Sequence, residues 1–136
     1  MYGAILGDVV GSRFEFDRGG KSKQFDMFSE DCTWTDDTVM TVAVAAALLR
    51  VGRDAPAEKI MRHVSRSMRL WGSRYPHAGY GARFYGWLNS SEPRPYGSYG
   101  NGSAMRVSSA EQQRTETLRQ LWQWLCYACF IGRLAV

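Results

Sequence analysis

Residues 35–49, which read TDDTVMTVAVAAALL, contain the longest apolar-rich stretch of the chain. Thr35 is a favourable N-cap residue, and Asp36 and Asp37 fall in the first turn, where the helix macrodipole favours negative charge. Small and apolar side chains then occupy nearly every position, which predicts a helix buried on all sides, and Gly52 is expected to end it. A helix of this kind needs other elements around it, so the stretch indicates a helical domain.

Glycines recur at every fourth position near the start of the chain. Gly3, Gly7 and Gly11 share one face of a helix predicted over residues 1–11. Each glycine inside a helix costs about 1 kcal/mol relative to alanine, so three on one face need a compensating contact. Two interpretations stay open, close packing of another helix and direct contact with a ligand, and we favour packing.

Helical spacing continues through the rest of the chain, and residues 81–88 predict a short helix. A longer helix is predicted to precede this one in the sequence. Its inner stripe is predicted from the apolar residues Ile60, Val64, Met68 and Trp71. The tail shows the same spacing at Leu118, Leu121, Trp122, Leu125 and Cys129. Because no segment alternates with the period of a strand and no repeat is present, we expect an all-α fold.

Composition narrows the class of protein. Of the 136 residues, 45% are hydrophobic and 13% aromatic, which suits one globular domain and argues against disorder. The apolar run over residues 39–49 is shorter than the roughly 20 residues of a membrane-spanning helix, and no secretory signal is expected because Asp8 interrupts the first apolar run. Three cysteines cannot all pair, which favours a reduced, cytoplasmic protein.

Charge is unevenly distributed along the chain. The net charge of +4 divides into −3 over residues 1–60 and +7 over residues 61–136. A basic half suits nucleic acid, but its arginines are scattered rather than clustered, so nucleic acid is not an expected partner. The acidic half is suited to binding a cation.

Thr35, Asp36 and Asp37 are the sharpest local feature. Their hydroxyl and carboxylate oxygens are hard ligands that suit Mg²⁺ or Mn²⁺ rather than Zn²⁺. The same residues are also what a helix N-terminus prefers, and spacing alone favours that capping interpretation. The apolar helix behind them favours a position where the acids emerge into a cleft.

A second feature is the glycine-rich stretch over residues 99–106, which reads YGNGSAMR. Glycines before a helical turn expose backbone N–H groups that can bind phosphate, although the spacing matches neither a Walker loop nor a dinucleotide fingerprint. Cys126 and Cys129 lie in an apolar stretch without a second ligand pair, so we interpret both as core residues.

Three stretches together resemble the ADP-ribosylglycohydrolase family: GAILGDVVGS at residues 3–12 followed by Glu15, TWTDDT at residues 33–38, and GNGSAMR at residues 100–106. The resemblance covers roughly residues 1–108 and keeps the family's order. It implies an orthogonal all-α bundle with a dinuclear Mg²⁺ or Mn²⁺ centre that binds ADP-ribose. It also implies hydrolysis of the glycosidic bond between ADP-ribose and a modified side chain.

The resemblance assigns roles to individual residues. It implies that Thr35, Asp36 and Asp37 are metal ligands, and that Glu15, Asp36 and Asp37 are the catalytic acids, with Glu15 contacting the metal site and gating the substrate. Substrate contacts are implied for Gly100, Asn101, Gly102, Ser103 and Met105.

The chain departs from the family pattern after this point. Family members are longer and complete the metal centre with an Asp-x-Asp-Thr motif, whereas no Asp follows Asp54 here. We therefore expect residues 1–108 to be the N-terminal part of the domain and residues 109–136 a divergent helical tail produced by truncation or a frameshift. With ligands missing, the second metal site is not expected to bind its cation well.

Impaired hydrolysis follows from these expectations, with a non-catalytic module that binds ADP-ribose or phosphate as the alternative. ADP-ribose or an ADP-ribosylated protein is the expected partner. Self-association through uncovered apolar surface, or a complementing C-terminal fragment, is a further expectation.

Overall fold

The structure, a computed structural model, describes residues 1–17, 22–52, 55–94 and 96–97, together with the single positions 102 and 106. Within these residues the chain forms, in order, α1 (Tyr2–Gly11), a 3-10 helix (Ser12–Asp17), α2 (Asp36–Val51), α3 (Ala57–Arg74) and α4 (Ala82–Asn89). The described residues contain no strand, which confirms the all-α fold predicted from the spacing. No helix among them is long and apolar enough to cross a membrane.

The ends of α2 lie where the residue chemistry predicts them. The Thr35 hydroxyl accepts a hydrogen bond from the Asp37 backbone N–H at 3.3 Å, which makes Thr35 the N-cap. At the other end Gly52 adopts a φ of 82°, which glycine tolerates and other residues avoid. Its N–H donates to the Leu48 carbonyl at 3.1 Å and closes the last turn.

The burial of α2 is less complete than its apolar sequence predicts. Ala43 and Val44 are 0% exposed, whereas Leu49 in the last turn is 81% exposed. The helix packs against α3 on one side and α1 on another. The prediction of burial on every side is therefore wrong at the C-terminal turn, because none of the described helices covers it.

The opposite wall of the core is α3. Three of its four predicted inner residues, Ile60, Val64 and Met68, are at most 2% exposed. The fourth, Trp71, is partly buried and packs against the same core. Burying aliphatic side chains of this size stabilises the fold by about 1.5–3 kcal/mol each. The Ser67 hydroxyl adds a hydrogen bond of 2.7 Å to the Ala43 carbonyl of α2.

The short predicted helix is present as α4, and it approaches α3 most closely at Gly72. A Cβ atom on Gly72 would lie only 2.8 Å from Cδ1 of the buried Leu88. Arg69 of α3 donates to the carbonyls of Leu88 at 3.1 Å and Ser90 at 2.7 Å. A cation is favoured at the C-terminal end of a helix, so Arg69 stabilises the end of α4 as well as the contact.

The segment over residues 25–29, which precedes α2, contacts Arg13 of the 3-10 helix. The guanidinium carbon lies 4.7 Å from the ring centroid of Phe14 and 5.4 Å from that of Phe25. The same side chain donates to the Ser29 hydroxyl at 2.6 Å and to the Asp26 carbonyl. These contacts attach the segment to the first part of the chain.

The tail expected at residues 109–136 lies outside the described residues. Its helical structure and the domain boundary at residue 108 stay predictions.

Gly72→Ala tests the packing of α3 on α4. The added methyl group meets the Leu88 side chain at less than van der Waals distance, so we expect a loss of about 1–3 kcal/mol in the free energy of unfolding. Urea unfolding measures it. Gly86→Ala on the exposed side of α4 is the matched control, because no described atom lies within 4 Å of its Cβ position. Equal stabilities for both variants would contradict the close approach.

Candidate active site

The site is built around the carboxylate of Asp8, which lies in α1 and accepts four hydrogen bonds from the start of α2. Its oxygens accept from the Thr35 backbone N–H at 2.9 Å and hydroxyl at 2.5 Å. They also accept from the Thr38 backbone N–H at 3.2 Å and hydroxyl at 2.5 Å. Because a carboxylate near a helix N-terminus is stabilised by both the N–H groups and the macrodipole, Asp8 fixes α1 to α2.

Thr35 is engaged in this contact from both sides. Its hydroxyl donates to Asp8 and accepts from the Asp37 backbone N–H, and the residue is buried. A hydroxyl has one donor and two acceptor sites, so one lone pair stays for another partner. The N-cap prediction for Thr35 is confirmed, and a role as metal ligand would use that single remaining lone pair.

Asp36 and Asp37 are half-buried carboxyl groups with strongly perturbed acidity. Burial, followed by the charge of Asp37, raises the pKa of Asp36 to about 7. Burial, followed by the charge of Asp8, raises the pKa of Asp37 to about 6. Glu15 raises both pKa values further and Arg106 lowers both. The charged forms of the two carboxyl groups are therefore incompletely compensated, which is common at functional sites.

A cavity of about 370 Å³ opens beside this acidic pair. It is lined by Gly3, Ala4, Gly7, Asp8, Gly11, Glu15, Asp37 and Thr41. Two of the predicted catalytic acids, Glu15 and Asp37, thus share one cavity. The volume lies at the lower end of the range for small-molecule sites, which suits part of an extended ligand.

The glycine face of α1 forms one wall of the cavity. At Gly3, Gly7 and Gly11, no described atom lies within 4 Å of the position that a Cβ atom would take. Close packing of another helix, the favoured interpretation of this spacing, is therefore wrong within the described part of the chain. The glycines instead leave the backbone of α1 open to the cavity.

Asp36 is not among the residues that line this cavity. Its Oδ1 is 4.0 Å from the Cβ position of Gly79, whose φ is +95°. The hydroxyl of neighbouring Tyr80 is buried without a hydrogen-bond partner among the described residues. Burial and, second, the charge of Asp36 raise the pKa of Tyr80 to about 12, so this hydroxyl stays protonated and able to donate.

Of the residues predicted to bind substrate, only Gly102 lies within the described part of the chain. Its carbonyl accepts a hydrogen bond from Arg106 Nε at 2.5 Å. The predicted contacts of Gly100, Asn101, Ser103 and Met105 lie outside the described residues and stay predictions.

The sequence did not indicate the hydrogen bonds of Asp8, the buried hydroxyl of Tyr80 or the burial of Arg106. Asp8 carried a signal, because a lone acid inside a glycine-rich apolar helix needs partners for its carboxylate. Tyr80 was one of many aromatic residues in its stretch, and nothing in the spacing separated it from core residues. Arg106 is the last residue of the GNGSAMR stretch, and the sequence assigns it no role.

The donor set is chemically suited to a hard cation but small. Asp36, Asp37 and Glu15 offer carboxylate oxygens, the ligands that Mg²⁺ and Mn²⁺ prefer. Among the residues that the structure describes, no group of three or more acidic, His or Cys side chains is arranged to hold a metal ion. The described residues therefore assemble no metal centre by themselves, and a cation site at Asp36 and Asp37 stays a prediction.

The comparisons identify the family. The family model for ADP-ribosylglycohydrolase matches residues 1–123 of the 136-residue chain. The chain therefore belongs to the ADP-ribosylglycohydrolase family, whose helical fold agrees with the helices described above. The match extends past residue 108, where the resemblance read from the motifs ended. Neither the curated proteins nor the solved structures yield a significant match.

Asp8→Asn tests the contact between α1 and α2. The amide keeps one acceptor oxygen but turns an NH₂ group toward N–H and hydroxyl donors, so we expect a loss of about 1–3 kcal/mol in unfolding free energy. Denaturant unfolding monitored by circular dichroism measures this loss. The exposed Asp31 provides the control Asp31→Asn, which we expect to change stability by less than about 0.5 kcal/mol. A wild-type midpoint for Asp8→Asn would show that the four hydrogen bonds contribute little.

The pH dependence of stability tests the raised pKa of Asp36. Because its pKa in the folded chain is about 7 and exceeds the unfolded value, the folded state binds the proton more tightly. This contribution therefore destabilises the fold above that pKa and disappears as the pH falls toward about 4. Asp36→Asn mimics the neutral form, so the variant should be more stable than wild type at high pH. Thermal unfolding in chelator should show this advantage shrinking toward low pH, and an advantage independent of pH would contradict the raised pKa.

Proposed function

We propose that this chain is a cation-dependent hydrolase of the glycosidic bond between ADP-ribose and a modified side chain, with impaired turnover. The observation that supports it best is the pair of half-buried, undercompensated carboxyl groups at the N-terminus of α2, beside a cavity that Glu15 also lines. Family membership supports the class of reaction. The proposal includes impaired turnover because the donor set among the described residues is small.

Asp36 and Asp37 would hold a Mg²⁺ or Mn²⁺ ion, with Thr35 offering its one remaining lone pair. Such an ion, when bound, orients ribose hydroxyls and polarises a water molecule. Bound positive charge there would also offset the burial and the neighbouring carboxylates that raise both pKa values. The dinuclear centre implied by the resemblance lacks ligands among the described residues, so the proposal is for one ion.

The chain's own residues would perform the remaining steps. Asp37 and Glu15 face the same cavity, where one of them accepts the proton of the attacking water. The concentration of carboxylates there stabilises the positive charge that develops at the ribose carbon as the glycosidic bond breaks. The open backbone of α1 leaves room for the ribose beside these acids.

The alternative is a module that binds ADP-ribose or its phosphates without turnover. It is favoured by the same small donor set, because binding a diphosphate ribose needs fewer fixed ligands than activating water does. Both proposals include a cytoplasmic location, because three cysteines cannot all pair as disulfides and so favour a reducing compartment.

Titration of Mn²⁺ followed by calorimetry tests the cation site. We expect weak binding to wild type and at least about tenfold weaker binding to Asp36→Asn and Asp37→Asn, because each change removes a charged ligand from a small set. Asp31→Asn is the control of equal charge change and should bind as wild type does. Equal binding by all four proteins would contradict a site at the acidic pair.

An assay of ADP-ribose release separates the two functions. The chain is incubated with Mn²⁺ and an ADP-ribosylated protein, and the free ADP-ribose released is measured. The affinity of the chain for ADP-ribose is measured separately by calorimetry. Slow release that Asp37→Asn abolishes supports the hydrolase, whereas affinity without release supports the binding module. Faster release on adding a separately expressed C-terminal fragment of a family member would support complementation. Neither affinity nor release would overturn both proposals.

A further inference from the structure

Arg106 is a charged residue in a place where charge is costly. It is 5% exposed, and its guanidinium carbon lies 4.3 Å from the ring centroid of Phe84 in α4. Its Nε donates to the Gly102 carbonyl at 2.5 Å. A buried cation is tolerated when stacking and hydrogen bonding replace its hydration, and these two contacts supply part of that replacement.

Gly102 is the residue that makes this position available. A Cβ atom at Gly102 would lie 2.5 Å from Nη2 of Arg106 and 3.5 Å from its Cζ. Any side chain there would displace the guanidinium from the ring of Phe84 or from the Gly102 carbonyl. The absence of a side chain at position 102 is therefore matched to the arginine four residues later.

The same guanidinium acts on the acidic pair. Its charge lowers the pKa of both Asp36 and Asp37, so it lies within electrostatic reach of the two carboxyl groups. Phe84 belongs to α4, and α4 packs against α3 in the core. Arg106 thus connects Gly102 to Phe84 of α4 and lies within electrostatic reach of Asp36 and Asp37.

We propose that Arg106 is a positioning residue that fixes Gly102 against Phe84 and thereby orders this glycine for contact with ADP-ribose. The lock between Arg106, Gly102 and Phe84 stands on the geometry, whereas its use in binding ADP-ribose rests on the proposed function. The lock depends on the planar guanidinium, because stacking on a ring and donation from Nε both need it. A lysine keeps the charge but loses both contacts.

A double-mutant cycle tests the lock without any ligand. Gly102→Ala and Arg106→Ala each lower the melting temperature, and we expect shifts of about 3 °C or more. Since either change breaks the same contacts, Gly102→Ala should have little further effect in the Arg106→Ala background. Gly86→Ala is the control: it meets no described atom and gains helix propensity, so it should not lower the melting temperature and should shift it equally in both backgrounds. Additive shifts for Gly102→Ala and Arg106→Ala would overturn the lock.

Calorimetry with ADP-ribose tests the positioning role on the folded proteins. We expect Arg106→Ala and Gly102→Ala each to weaken ADP-ribose binding by about five- to tenfold, because the site must then be ordered on binding. Arg106→Lys should be as weak as Arg106→Ala. Wild-type affinity in Arg106→Ala, or its rescue by Arg106→Lys, would overturn the proposal. If wild type itself binds no ADP-ribose, the proposed function and the positioning role both fail, while the melting cycle still decides the lock.

Discussion

The hydrogen bonds between the carboxylate of Asp8 and the start of α2 are the interaction on which the rest of the described structure depends. The carboxylate satisfies two backbone N–H groups and two hydroxyls at the start of α2, groups that would otherwise need water. Because the acceptor belongs to α1, one side chain both caps α2 and attaches α1 to it. The position of α2 relative to α1, and with it the position of Asp36 and Asp37 in the first turn, is therefore held by these hydrogen bonds.

This arrangement concentrates negative charge without neutralising it. Asp8 accepts four hydrogen bonds. Burial raises the pKa of Asp36 and Asp37, and a neighbouring carboxylate adds to it, Asp37 for Asp36 and Asp8 for Asp37. Arg106 compensates only in part, since both pKa values stay well above the ordinary range for aspartate. Adding positive charge to such a site, as a proton or as a cation, stabilises the fold. Binding of a cation and the pH dependence of stability therefore have the same electrostatic cause.

Glycine has two physical uses in this chain, and periodicity could not tell them apart. At Gly72 the missing side chain lets two core helices approach, whereas at Gly3 and its two successors it leaves the helix backbone open to a cavity. The spacing of four predicts a shared helix face in either case. What lies opposite that face depends on contacts distant in sequence, and within the described residues no helix packs closely on the glycines of α1.

The sequence by itself determined the all-α class, the N-cap at Thr35, the inner stripe of α3 and the family, because these follow from local spacing and from short motifs. Tertiary structure decided which acids share a cavity, which carboxyl groups change their pKa and how far α2 is buried. Those properties arise from desolvation and from charges on separate helices, as when Asp8 meets Thr35 across 27 positions of chain. Distance in space, rather than distance in sequence, sets such energies.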